Sequence, residues 1–94
     1  MGMDLIAKSG KTLHYNISGW RGIREMVQKH FPLIDLPVLN DGEEIPARDC
    51  IRIGGAIEYN ADWYNHEYGG GGYGEKPAAE HAEFWKMSNG VEVW

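Results

Sequence analysis

A single cysteine, Cys50, stands in this chain of 94 residues, so an intrachain disulfide is excluded. That usage fits a reducing cytoplasm, where the protein is expected to work. No stretch approaches the roughly 18 consecutive apolar residues of a membrane-spanning helix, and no membrane partner is expected. The opening Met1-Gly2-Met3-Asp4 lacks the basic and apolar regions of a signal peptide. Ile6 stands where a myristoylation motif wants Ser or Thr. Metal-binding patterns are scarce as well. His14, His30, His66 and His81 show no zinc spacing, and surface positions account for them. Asn40-Asp41-Gly42-Glu43-Glu44 lacks the alternating oxygen ligands of a calcium loop. The run Gly69–Gly74 has no Gly-Lys-Ser/Thr ending, so it is no phosphate loop. No cofactor is expected.

What is present is an ordinary globular composition, 43% hydrophobic and 24% charged, of a length for one domain over residues 1–94. The net charge of −5 is unevenly spread. Acids and bases balance before Glu58. Beyond it stand Glu58, Asp62, Glu67, Glu75, Glu80, Glu83 and Glu92 against only Lys76 and Lys86. An acidic surface repels phosphate backbones, so nucleic acid is not the expected direct ligand. A protein with a basic surface is. The same segment holds most of the aromatic rings, among them Trp63, Tyr64, Tyr68 and Tyr73. Acid combined with exposed ring is the footprint of a protein interface. The expected contact set is Glu58, Asp62, Trp63, Tyr64, Glu67, Tyr68, Tyr73, Glu75, Glu80 and Glu83, with Tyr68 and Tyr73 as exposed anchors. A homodimer through that patch is the competing arrangement.

Local patterns predict an α+β fold in the order β-β-α-α-α-β. Residues 3–16 read as a hairpin about Ser9-Gly10-Lys11. Ser18 caps a helix over 18–30, whose apolar face is Trp20, Ile23, Val27 and Phe31. Residues 31–39, broken by Pro32 and Pro37, read as an apolar connector, and Asn40-Asp41-Gly42 as a turn. Pro46 opens a second helix behind Glu43 and Glu44, with Cys50, Ile53 and Ile57 inward. A hairpin about Gly54-Gly55 competes with it. Residues 65–75 read as a mobile loop. Pro77 opens a third helix bearing Ala78, Ala82 and Trp85, which Asn89-Gly90 stops. Val91–Trp94 reads as a strand beside the hairpin, giving a small, mainly antiparallel sheet.

No general acid stands paired with a base, so an enzyme is not expected. Two alternatives remain. One is a binder of a small nucleotide signal, with Arg21, Arg24 or Arg48 holding phosphate under the glycine-rich loop. The other is an enzyme using Cys50 or the Asp41/Glu43/Glu44 cluster.

Short motifs add a context. His14-Tyr15-Asn16, Ser18-Gly19-Trp20-Arg21, Asn40-Asp41-Gly42, Phe84-Trp85 and the ending Asn89-Gly90-Val91-Glu92-Val93-Trp94, with the opening Met1-Gly2-Met3-Asp4-Leu5, stand in one chain. Together they resemble a group of small uncharacterised phage and prophage-associated proteins, from which this chain departs in its Gly69–Gly74 loop. The resemblance implies a mobile-element setting in the host cytoplasm. Small acidic proteins in that setting bind and inhibit host proteins, including CRISPR and other nucleic-acid-handling defence complexes.

Overall fold

The sheet joins the two ends of the chain and takes one short strand from its middle. In the computed structural model, which describes residues 2–39, 41–70 and 72–94, Val91–Val93 (β4) lies between Gly2–Ala7 (β1) and Glu43–Ile45 (β3). Thr12–Asn16 (β2) pairs with the other side of β1, so the order is β2-β1-β4-β3, and every pairing is antiparallel. Alternation of side chains sends Met3, Leu5, Ala7, Tyr15, Ile45, Val91 and Val93 inward. Asp4, Ile6, Thr12, His14, Glu44 and Glu92 remain exposed on the outer face.

Among the described residues four helices complete the α+β fold: α1 (Ile17–His30), α2 (Ala47–Tyr59), α3 (Ala61–Tyr68) and α4 (Pro77–Met87). The expected hairpin, first helix, Pro77 helix and C-terminal strand are all present, and the C-terminal strand pairs with β1. Several local expectations are corrected. The side chain of Asn16, not Ser18, caps α1, accepting from the Gly19 N–H at 2.7 Å. The helix read from Pro46 is present as α2, with Pro46 at its N-cap, but Glu43 and Glu44 before it are strand. They begin β3, which forms because β4 supplies its partner strand. Residues 65–68 belong to α3, so the loop read from residue 65 starts at Gly69. Met1, Asn40 and Gly71 lie outside the described residues. The turn read at Asn40-Asp41-Gly42 and the glycine run are therefore described only on either side of them.

Residues 50–59 are helix and not hairpin, and packing explains why two glycines stand there. A Cβ on Gly54 would come within 2.8 Å of the Ala82 carbonyl oxygen and 2.6 Å of Lys86 Cγ. Glycine thus lets α2 and α4 approach closely. Gly55 faces open space and serves no such contact. At the far end of α4, Ser88 Oγ donates to the Trp85 carbonyl at 2.8 Å. Asn89 (φ 60) and Gly90 (φ 112) then turn the chain into β4 in the left-handed conformation.

The connector after α1 divides. Ile34, Leu36 and Pro37 are buried, and Trp20 Nε1–H donates to the Pro37 carbonyl at 2.8 Å. Leu33, Val38 and Leu39 are exposed, so only part of the segment walls the core. Trp85, Tyr15 and Tyr64 are fully buried at its centre. Rings of this size each withdraw roughly 150–250 Å² from water, worth about 4–6 kcal/mol before conformational entropy is counted. No described helix is long and apolar enough to cross a membrane.

Candidate docking surface

Two of the rings expected at the surface lie in the core. Tyr64 is completely buried and Tyr68 is 5% exposed. Their spacing of four residues puts both on the inner face of α3, where the rings stack at 4.3 Å. Tyr73 is half-buried, its ring edge-on to Tyr68 and to His81. Its hydroxyl accepts from the Asn16 N–H at 3.2 Å. The glycine-rich segment is thereby pinned to β2, and the Gly70 N–H donates to the Gly74 carbonyl at 2.7 Å. Tyr68 and Tyr73 are therefore not free-standing anchors. Tyr68 takes its place by donating to the Gly19 carbonyl at 2.5 Å, over Gly22, where a Cβ would meet its hydroxyl oxygen at 2.7 Å.

A buried hydrogen-bonded chain runs beneath these rings. Trp85 Nε1–H can only donate, so the Tyr15 oxygen accepts from it at 3.3 Å. Tyr15 and Tyr64 hydroxyls are 2.6 Å apart, and Tyr64 is 2.6 Å from His81 Nδ1. With Tyr15 accepting from Trp85, the order that satisfies every member is Tyr15 to Tyr64 to His81 Nδ1. Burial pushes the Tyr15 and Tyr64 phenols well above the ordinary tyrosine range. It also lowers the pKa of His81, against a smaller opposing effect of Glu80. His81 is therefore neutral, buried, and not the surface histidine expected. Its position was readable: it shares the face of α4 that holds Ala78, Ala82 and Trp85.

Trp63 is the ring of the expected set that faces outward, 40% exposed on α3. Depressions of about 220 and 340 Å³ lie on its two sides, and both are lined by Trp63 and Gly22. One reaches Glu67 and Tyr73; the other reaches Glu25, Lys29 and His30. Together they form a groove between α1 and α3. Tyr59, which the sequence had not singled out, is 82% exposed at the end of α2, its ring edge-on to His30 at 5.3 Å. Asn60 Nδ2 holds that histidine by donating to Nε2 at 2.9 Å. Asp62 is exposed beside Trp63. Glu25, Asp62 and Glu67 make no ion pair among the described residues.

The remaining acids are elsewhere. Glu58 pairs with Lys86 across α2 and α4. Glu80 and Glu83 border a separate trough beside β2. Glu75 is exposed in the segment before α4. The structure thus gathers Trp63, Glu67, Tyr68 and Tyr73 at one groove, with Asp62 adjacent, and divides the other acids.

Of the residues of the two alternative readings, Arg21 and Arg24 come together, and Arg48 and Cys50 stand apart from them. Arg21 and Arg24 line a shallow apolar depression with Ile17, Val38 and Leu39, while Arg48 stands on α2 beside Asp49. Cys50 is fully buried, its thiol donating to the Ile45 carbonyl, and burial raises its pKa. No protein-family model, curated protein or solved structure is significantly similar to this chain.

Proposed function

We propose that this chain is a binding protein that docks on a basic surface of another protein through the groove between α1 and α3. The observation that carries this reading is Trp63, an exposed indole set between two depressions and flanked by acids that make no ion pair among the described residues. Tryptophan is the residue type that most often dominates an interface, because it buries a large rigid area at small entropic cost. The acids Glu25, Asp62 and Glu67 steer encounter toward cationic partners and fix register. Tyr59 extends the apolar contact at one end.

The short-motif resemblance supplies the setting: a phage-type protein that inhibits a host protein, such as a CRISPR or other nucleic-acid-handling defence complex. Occupying the basic surface that such a complex reserves for nucleic acid is a mechanism that fits an acidic ligand. Capture from host lysate tests the reading with wild type, Trp63→Ala and Glu67→Lys as baits. A partner held by wild type and released about 30-fold more readily by Trp63→Ala is the expected result. Equal recovery of the same partners by all three baits refutes it.

A further inference from the structure

β2 is an edge of the sheet, and three hydrogen bonds fix which of its backbone groups face outward. The Asp4 carbonyl accepts from the Trp94 N–H, so the polar groups of Asp4 turn toward β4. The Ala7 N–H donates to the Lys11 carbonyl, so those of Ala7, Leu5 and Met3 turn toward β2. Opposite them, Leu13 and Tyr15 bond to β1. Thr12, His14 and Asn16 must then point their N–H and C=O groups away from the sheet. The Asn16 N–H confirms the phase by donating to Tyr73. No partner serves the outward backbone groups of Thr12 and His14 among the described residues.

This edge is protected only at its ends, where Tyr73 covers Asn16 and Lys11 stands just before Thr12 on the rim of the trough. Its sequence Thr-Leu-His-Tyr-Asn holds no proline and no lysine, and its register with β1 is unbroken by a bulge. A trough runs beside it toward α4, formed by depressions of about 360 and 590 Å³ that share Thr12, Leu13, Glu80 and His81. Leu13 and Phe84 are half-buried in its floor, and Met87 is 69% exposed at one end. Glu80 and Glu83 stand on its wall without an ion-pair partner among the described residues. His81 adds a donor. Its Nδ1 accepts from Tyr64, which leaves the proton on Nε2, and the ring lines both depressions.

We propose that β2 takes an extended, lysine- or arginine-bearing segment of another protein as a fifth strand. Thr12 and His14 bond its main chain, and His81 Nε2–H offers a donor to a carbonyl of that segment. Alternate side chains enter the trough, where Leu13, Phe84 and Met87 receive the alkyl stems and Glu80 and Glu83 the cationic ends. A second copy of this chain is the poorer occupant, because it would bring its own Glu80 and Glu83 against the same acids. This edge is separate from the Trp63 groove, and either site can fail without the other.

The probe is acetyl-Lys-Val-Lys-Thr-Lys-Val-Lys-amide, titrated into ¹⁵N-labelled protein to about 1 mM. Amide shifts centred on Thr12 and His14 are expected, and alternate N-methylation of the peptide should abolish them. Glu80→Gln/Glu83→Gln should weaken binding about fivefold, from two exposed charge pairs of about 0.5 kcal/mol each. Three results overturn the proposal. One is no shift across the titration. Another is equal shifts from the N-methylated peptide, which means attraction to acidic surface alone. The third is concentration-dependent dimerisation that protects the β2 amides, which means a second copy already holds the edge.

Discussion

Removing one hydroxyl from the centre of the core, by Tyr64→Phe, tests the buried hydrogen-bonded chain directly. The ring stays, so stacking on Tyr68 and the apolar area are kept. What is lost is the acceptor for the Tyr15 hydroxyl and the donor to His81 Nδ1, both at 2.6 Å. The Tyr15 hydroxyl and His81 Nδ1 are then left only their long mutual contact of 3.4 Å, a poor replacement for two short bonds, while desolvation of the Tyr64 hydroxyl itself is relieved. The balance is a destabilisation of about 1–3 kcal/mol, a sizeable share of the 5–15 kcal/mol of an ordinary domain. Urea denaturation followed by tryptophan fluorescence reads it as a fall of about 1–2 M in midpoint at unchanged slope. Tyr73→Phe is the control. It removes one bond to the Asn16 N–H at a half-buried site and should cost no more than about 1 kcal/mol. A Tyr64→Phe variant within about 0.5 kcal/mol of wild type would refute the reasoning.

The two helix glycines should part in sign: Gly54→Ala should destabilise by about 1–3 kcal/mol through its clash with Ala82 and Lys86, while Gly55→Ala should stabilise by about 0.5–1 kcal/mol, both read by thermal unfolding. His81 has its pKa lowered in the folded state from 6.5, so the unfolded chain binds its proton first. Stability from this residue is full above 6.5 and declines as the pH falls from there toward the folded value; urea midpoints at pH 7.5 and 5.5 should differ more in wild type than in His81→Gln. Cys50 should resist a thiol reagent in the folded protein and react at once in denaturant, because its sulfur is buried and held protonated. Trp63→Ala should cost about 1–2 kcal/mol by urea denaturation, less than truncating a core ring, because the indole is 40% exposed yet packs edge-on against Tyr64 and Tyr68.

Much of this architecture is legible from local chemistry. The spacing of Trp20, Ile23 and Val27 marks the buried face of α1, Pro77 opens α4, and Asn89-Gly90 ends it. What escapes depends on distant partners. Only Ile45 points inward from β3, and the strand exists because β4 returns from the other end of the chain. The third helix is short, without a side-chain cap, and runs into glycine. Its one sign is the pair Tyr64 and Tyr68, a turn apart. These tyrosines read as contact residues because a phenol suits an interface as well as an interior. Their burial follows from hydroxyl partners far along the chain, Tyr15 for Tyr64 and the Gly19 carbonyl for Tyr68. The exposed Trp63 and the acids beside it were legible, but their division between grooves was not. That depends on how α3 and α4 cross β2 and α1.

Hydrogen–deuterium exchange of the protein, alone and bound to its captured partner, decides where the partner sits. Docking at the Trp63 groove predicts slowed exchange within residues 18–30 of α1 and 60–68 of α3, with the outer face of the sheet unchanged. Protection confined to other elements, with α1 and α3 exchanging as in the free protein, would contradict the account.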